Sequence, residues 1–467
     1  MNEPAIPRPR RRWRWVKRIG LAILILLFLA VAVFVIEWKL TRMAGQRKLD
    51  AITARLDVED PGWRFDDIVA AHNAKVPPDE SNSAVKALAI VKRFPNDSGA
   101  VNHLLSPTNF HRLLNETLPN DQWEILEGIY PNWEPGIIEL RTWNADTPRG
   151  ALKIEYLGGN PLEISYENAQ QFRKALYALS WDANRSAYFG EADRALGSAV
   201  AGLHLLRSVD FQPCFIPFLV RVATGDTALR SIEQTLAWSP NASDQALAAA
   251  QELVWKESWT LSLRPAILRE RAFAFKAYEM FDCGEIDLIK EREAKELWND
   301  IPHRKNLPGN MAVSLAAFDE VFALDSLPAD QKAQAAAQWK KPPRTPEFIY
   351  TAVLAPGAAK ILFDAEARYR AKCLCTAVGI ACERYRLKHG KWPEKLDALA
   401  EFGMPTGLLD PFDGQPLRYK LEVDGPIVYS IGSDGVDDGG EVLLRTGMPR
   451  DVGFRLWDVD RRKVPKK

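Results

Sequence analysis

Five cysteines and six histidines among 467 residues leave little material for a disulfide framework or a dense metal site. An odd number of cysteines cannot all pair, and Cys214, Cys283, Cys373, Cys375 and Cys382 show no zinc-ligand spacing. Cys373 and Cys375 diverge on a helix. Cys375, Cys382 and His389 are each about 10.5 Å of helical rise apart, beyond the reach of one zinc at ordinary bond lengths. The thiols therefore read as small buried side chains on one helix face. No HExxH, GxSxG, Walker A or GxGxxG pattern occurs. The histidines, at 72, 103, 111, 204, 303 and 389, are scattered. Carboxylate pairs such as Glu163 and Glu167 recur often in a chain with 61 acids and read as solvated faces.

Net charge is absent too, 61 bases balancing 61 acids, but the balance is uneven along the chain. Residues 1–48 carry 11 bases against Glu3 and Glu37, leaving 50 bases and 59 acids in the body. A body of that sign lacks the positive field that gathers phosphates, so no nucleic-acid partner is expected. The basic residues Arg461, Arg462, Lys463, Lys466 and Lys467 read as a solvated tail. A content of 47% hydrophobic and 26% charged residues excludes wholesale disorder and a multi-span membrane protein. The length predicts two or three folded units at roughly 150 residues each. The 15 tryptophans read as core and interface anchors.

What is present begins with an anchor. Ile19 to Ile36 is an unbroken apolar run that spans about 27 Å as a helix, close to the roughly 30 Å hydrocarbon core. Arg8, Arg10, Arg11, Arg12, Arg14, Lys17 and Arg18 precede it, four bases follow it, and Trp13, Trp15 and Trp38 bracket it. This asymmetry predicts a cytoplasmic amino terminus and an extracytoplasmic body. Glu37, Trp38, Lys39 and Leu40 follow where a signal peptidase needs small residues, so the expectation is an uncleaved signal anchor in the inner, cytoplasmic membrane.

The body reads as mainly α. We expect a basic cytoplasmic segment at 1–18, a transmembrane helix at 19–38, and a membrane-proximal, mainly helical region at 39–166. A helical-hairpin, repeat-like array or irregular bundle is expected at 167–340. Ser106 and Asn120 read as helix starts, and Gly150 to Tyr166 as a hairpin or extended insertion. Within the array, Leu196, Val200, Leu203 and Leu206 form an apolar face opposite Arg194, Ser198 and Arg207. Joints are expected at Gly190, Phe211 to Pro213, Gly225, Pro240, Gly284 and Pro308. Lys340 to Pro346 reads as a linker to a small α+β module at 347–445, with a tail at 446–467.

In that module a helix ends at Gly390. Trp392-Pro393, the turn Asp410-Pro411-Phe412-Asp413-Gly414, the strand Arg418-Tyr419, and Tyr429-Ser430-Ile431-Gly432 with Asp434-Gly435 follow. Pro fixes φ and Gly permits positive φ in these turns, while alternating strands at 417–421 and 427–431 can pack on the helix. In this order the residues from about 371 to 442 resemble the carboxy-terminal domain of the major, G-type pseudopilin of type II secretion. As a whole the chain is similar to bacterial single-pass membrane proteins with a DPGWRFDDI-like start, here Asp60 to Ile68. The pseudopilin resemblance implies a helix laid on a small antiparallel sheet and a calcium site in the loop after the second strand. Carried over by position, Asp434, Asp437 and Asp438 supply carboxylates, with Ser430 and the Ile431 carbonyl completing the shell. The alternative for this loop is a solvated Asp-Gly turn. The sequence also departs from a processed pseudopilin, because Gly20 is followed by Leu21 and has Ile25 where a Glu belongs.

The expected function is that of a membrane-anchored, non-catalytic protein-interaction protein. Its expected partners are the membrane, other envelope proteins and the subunits of a secretion or pilus-like assembly. Two alternatives stay open: an envelope enzyme whose site assembles only in three dimensions, and a calcium-stabilised structural protein.

Overall fold

A computed structural model describes residues 11–94, 119–143, 150–154, 167–208, 215–285, 306–342, 356, 358–442 and 450–462. The expected cap at Ser106, the joint at Phe211 to Pro213 and most of the Gly150 to Tyr166 insertion lie outside them. The fold is mainly helical, with one long apolar amino-terminal helix and a small three-stranded sheet near the carboxy terminus. The helices are α1 (Arg11–Glu59), α2 (Phe65–Asn73), α3 (Ser83–Val91), α4 (Asn120–Thr142), α5 (Glu167–Tyr188) and α6 (Ala192–Ser208). They continue as α7 (Phe215–Trp238), α8 (Asp244–Thr260), α9 (Arg264–Cys283), α10 (Leu307–Asp325), α11 (Ala329–Gln338) and α12 (Ala359–His389). A 3-10 helix at Leu396–Phe402 precedes β1 (Arg418–Glu422), β2 (Gly425–Ser430) and β3 (Val452–Arg455).

The chain divides into two compact units. The first comprises residues 1–61, 278–317 and 341–355, and the second 62–277, 318–340 and 356–467. In the first unit, α1 continues without a break from the apolar run into the following polar segment. Arg42 donates two hydrogen bonds of 2.7 Å to Asp282, and Gly45 stands so close to Gly309 that a Cβ would lie 2.7 Å from its backbone nitrogen. Any side chain at Gly45 would force these two backbones apart.

The second unit is organised around α12. Its residues from Ala359 to Glu383 are largely buried, and it packs on α7, α8, α11, the 3-10 helix, β2 and β3. One apolar cluster runs through Trp181, Leu203, Leu229, Leu253, Val378, Val428 and Phe454. A helix stretch buried on every side, as residues 371–383 are, needs partners all round, which is why helices of the second unit and its sheet share one core around α12. The sheet is antiparallel in the order β1-β2-β3.

Several expected boundaries stand where the local chemistry places them. α12 ends at His389 with Gly390 in the left-handed region at φ 71°, which glycine adopts without a Cβ penalty. Gly225 is different: it lies inside α7 instead of ending a helix. A Cβ there would meet the Tyr369 ring and hydroxyl at 2.2–2.6 Å, so this glycine is explained by the close approach of α12. Residues 446–467 also differ from a plain tail, since they contain β3. Asp451, Arg455 and Arg462 are buried, whereas the sequence reading left Arg462 in solvent.

Candidate functional site

The loop after β2 is built around a residue that sequence reasoning used only as a turn former. Asp410 is fully buried and gathers four donors: Phe412 N–H at 2.9 Å, Ser430 Oγ at 2.7 Å, Ile431 N–H at 3.0 Å and Arg418 Nη1 at 2.7 Å. Ser430 and Ile431 are therefore turned onto Asp410. Asp434 and Asp437 each accept the amide two residues on, Val436 N–H at 3.2 Å and Gly439 N–H at 2.9 Å. Asp438 pairs with Arg450 at 3.1 Å. A second buried acid, Asp451, accepts Gly440 N–H at 2.8 Å and Glu441 N–H at 3.2 Å. Burial pushes the Asp451 carboxyl up, and these amides oppose the shift.

Of the five residues expected to hold calcium, Asp434 and Asp437 are engaged by local amides, Asp438 by Arg450, and Ser430 and the Ile431 amide by Asp410. Arg418 and Arg450 supply positive charge to the loop, and a cation at Asp438 would compete with Arg450. Among the described residues no group of three or more His, Cys, Asp or Glu side chains is gathered as a metal ion requires. One observation points the other way: Asp438 Oδ2 is buried with no hydrogen-bond partner.

Four other buried carboxylates are each held by a cation. Asp182 on α5, fully buried, accepts hydrogen bonds from Tyr130 at 2.5 Å, from Arg194 at 3.2 Å, and from Ser198. Ser198, expected on an exposed polar face, is buried because this carboxylate needs a donor. Burial, together with the hydrogen bond to Asp182, pushes the Tyr130 hydroxyl well above its usual range. Glu257 on α8 takes Arg221 at 2.8 Å, and Glu233 on α7 takes Lys372 Nζ at 2.6 Å and Arg455 N–H at 2.8 Å. Lys372 also donates to the Gly453 carbonyl at 2.6 Å, so one buried ammonium joins α7, α12 and β3. Glu383 takes two hydrogen bonds from Arg462, at 2.8 and 2.6 Å, and two from Arg386. Burial alone would raise the Glu383 carboxyl, but these guanidinium bonds outweigh it and hold it below the usual range. Each of these four acids meets a cation already belonging to the fold, which locks neighbouring elements together.

The thiols read the same way. Cys373, Cys375 and Cys382 are unpaired and fully buried, and burial pushes all three up, away from the reactive thiolate. Cys283 is exposed and unpaired, and Cys214 lies outside the described residues, as do His103, His111, His303 and Glu163. His72 Nε2 lies 2.9 Å from the Leu152 carbonyl, and His389 Nε2 lies 2.5 Å from Glu401. The two are thus engaged separately.

One cavity of about 340 Å³ opens between α12, the 3-10 helix and β1. Val378, Leu399, Leu417 and Tyr419 help to line it, and Glu394, Lys395 and Asp397 supply its charged groups. The Tyr419 hydroxyl donates to the Pro393 carbonyl at 2.6 Å, and no histidine lines the cavity.

Asp451 and β3 were the features missed in the sequence. Their signal was the alternation of Val452, Phe454 and Leu456, too short beside Gly453 to stand out from a tail. Comparison with known proteins adds no template, since no family model, curated protein or solved structure matches the chain.

Proposed function

We propose that this chain is a membrane-anchored, non-catalytic interaction protein of the bacterial envelope. Its amino terminus is cytoplasmic, α1 crosses the inner membrane, and the body binds other envelope proteins outside the cytoplasm. The observation that carries the reading is the apolar run of α1, exposed around its whole circumference in a chain whose other long helices are packed. Such a surface has a favourable environment only in lipid. The candidate partners are subunits of a type II secretion or pilus-like assembly. That choice rests on the pseudopilin-like order of motifs, and α12 against the small sheet is compatible with it. The helical-hairpin, repeat-like reading of 167–340 belongs to the same proposal, since stacked helices offer extended surfaces to partners.

Removing the terminal module would expose the core of the second unit, so surface changes test this better than truncation. Leu421 and Val423, at the β1–β2 turn, are 51% and 94% exposed. Cross-linking in native membranes should compare the full chain with L421E/V423E. Capture of secretion-assembly subunits by the unchanged chain, lost in the variant, supports docking through the module. Equal capture by both moves docking to the helices, and failure to capture any such subunit rejects the assembly reading. The calcium-stabilised alternative requires Arg450 to yield Asp438. A calcium-dependent rise in Tm that D438N abolishes decides for it, and an unchanged Tm decides against it.

A further inference from the structure

The two edges of the small sheet are treated differently. At the β3 edge, the backbone groups that face away from β2 belong to Gly453 and Arg455. The Gly453 carbonyl accepts Lys372 Nζ at 2.6 Å and the Arg455 N–H donates to Glu233 at 2.8 Å, so α12 and α7 close that side. At the β1 edge, Tyr419 and Leu421 face outward. They stand opposite Val428 and Pro426, and the Pro426 carbonyl turns away from β1 to accept Leu456 N–H at 2.9 Å. The preceding segment covers this edge only as far as Leu417, whose N–H donates to the Leu408 carbonyl at 2.8 Å. Among the described residues, none bonds to the outward backbone groups of Tyr419 or Leu421.

An open edge is a template for another strand, and the side chains around it decide which strand fits. The order Tyr419-Lys420-Leu421-Glu422-Val423 complements itself when reversed. About a two-fold axis through Leu421, Lys420 of each copy stands opposite the partner's Glu422, Leu421 opposite the partner's Leu421, and Tyr419 opposite the partner's Val423. Leu421 and Val423 are exposed in the single chain and gain apolar cover this way. Within one strand Lys420 already holds Glu422 at 2.8 Å, and a second copy extends that pair into a ring of two bases and two acids. Moving the axis to Lys420 would instead set two ammonium groups opposite each other at the closer, non-hydrogen-bonded spacing, where like charges are destabilising. Charge therefore selects one register.

We propose that the β1 edge binds a second copy of this chain, the two β1 strands pairing antiparallel about Leu421 so that the sheets of both copies become continuous. The Leu421 N–H of each copy donates to the carbonyl of the partner's Leu421, which satisfies the groups that the single chain leaves at this edge. Val423, at the hairpin tip, comes to lie beside the partner's Tyr419, a wall of the cavity described above.

The test follows the purified full chain in detergent by sedimentation velocity over about 1–100 µM, the range in which a short interface associates. A concentration-dependent dimer is expected. Leu421→Pro removes an N–H that faces outward, so the single chain should keep its Tm while the dimer weakens by about ten-fold. Should that variant lower the Tm, L421E/V423E replaces it, setting two carboxylates opposite each other at the axis. Lys420→Gln is expected to weaken the dimer by up to about ten-fold through loss of both cross-strand ion pairs. Tightening by Lys420→Gln would place the axis at Lys420 and overturn the register. With Cys214 and Cys283 changed to Ser, Leu421→Cys should form a disulfide between copies and Lys420→Cys should not. A chain that stays monomeric up to about 100 µM, or a dimer equally tight in Leu421→Pro and L421E/V423E, overturns the proposal. No other protein is present, so the outcome is separate from the assembly reading: a chain that dimerises but captures no secretion subunit loses that reading alone.

Discussion

The apolar part of α1 and the middle of α12 are both long helical segments surrounded by apolar side chains, yet they meet opposite surroundings. From Ile19 to Ile36, α1 has no ionisable residue and is exposed on every side. α12 is buried throughout residues 371–383 although that stretch carries Lys372 and Glu383. The first carries no charge, as the proposed membrane span requires, since lipid offers no counterion. The second includes charge because the surrounding protein provides partners: Glu233 for Lys372 and Arg462 for Glu383. A buried pair is weak evidence of net stabilisation, but removing one partner leaves a buried charge short of compensation.

The largest effect should follow from breaking such a pair. Arg462→Ala is expected to lower unfolding free energy by about 3–5 kcal/mol in denaturant titrations, since Glu383 stays buried with one of its two guanidinium partners gone. An effect below about 1 kcal/mol would mean that Arg462 is only a surface contact. For α1 the matching experiment adds a charge instead of stranding one. Leu27→Arg is expected to disfavour membrane insertion by about 2.5–3.5 kcal/mol in a glycosylation or accessibility assay, with the Tm of the detergent-purified body unchanged. If insertion is unaffected, the exposed run is not a span.

How much of this contrast the sequence reveals follows from its physical origin. An uninterrupted apolar run can be read directly, as can the Gly390 helix end and the alternating strands β1 and β2, because each is encoded within a few neighbouring residues. The surroundings of α12 are not local. Glu233, Asp244 and Arg462 lie far along the chain from the residues they hold, and Ser198 and Gly225 make sense only once Asp182 and Tyr369 are in place. The proposed calcium residues were located near one another by sequence position. Their division between Asp410, Arg450 and local amides depends on Arg418 and Asp451, whose approach no short motif encodes.

The smallest effect tests a partly exposed pair against the buried ones. A hydrogen bond from Arg418 holds Asp413 below the usual carboxylate range. A depressed folded value contributes stability above the unfolded carboxylate range, and that stability is lost as pH falls through the folded value. Asp413→Asn is therefore expected to cost up to about 1 kcal/mol at neutral pH and to flatten the acid limb of a Tm-against-pH profile. An acid limb as steep as that of the unchanged chain would place the titration elsewhere.

The late position of β3 and Arg462 gives this architecture a temporal consequence. At a synthesis rate of about 5–20 residues per second, residues 390–462 follow His389 over about 4–15 s. Until that interval ends α12 lacks one arm of its Glu383 clamp, and for most of it β3 as well, so the second unit cannot close as its helices emerge one by one. Its half-made core is exposed to other nascent chains, which makes protection during synthesis part of what this fold demands of the cell.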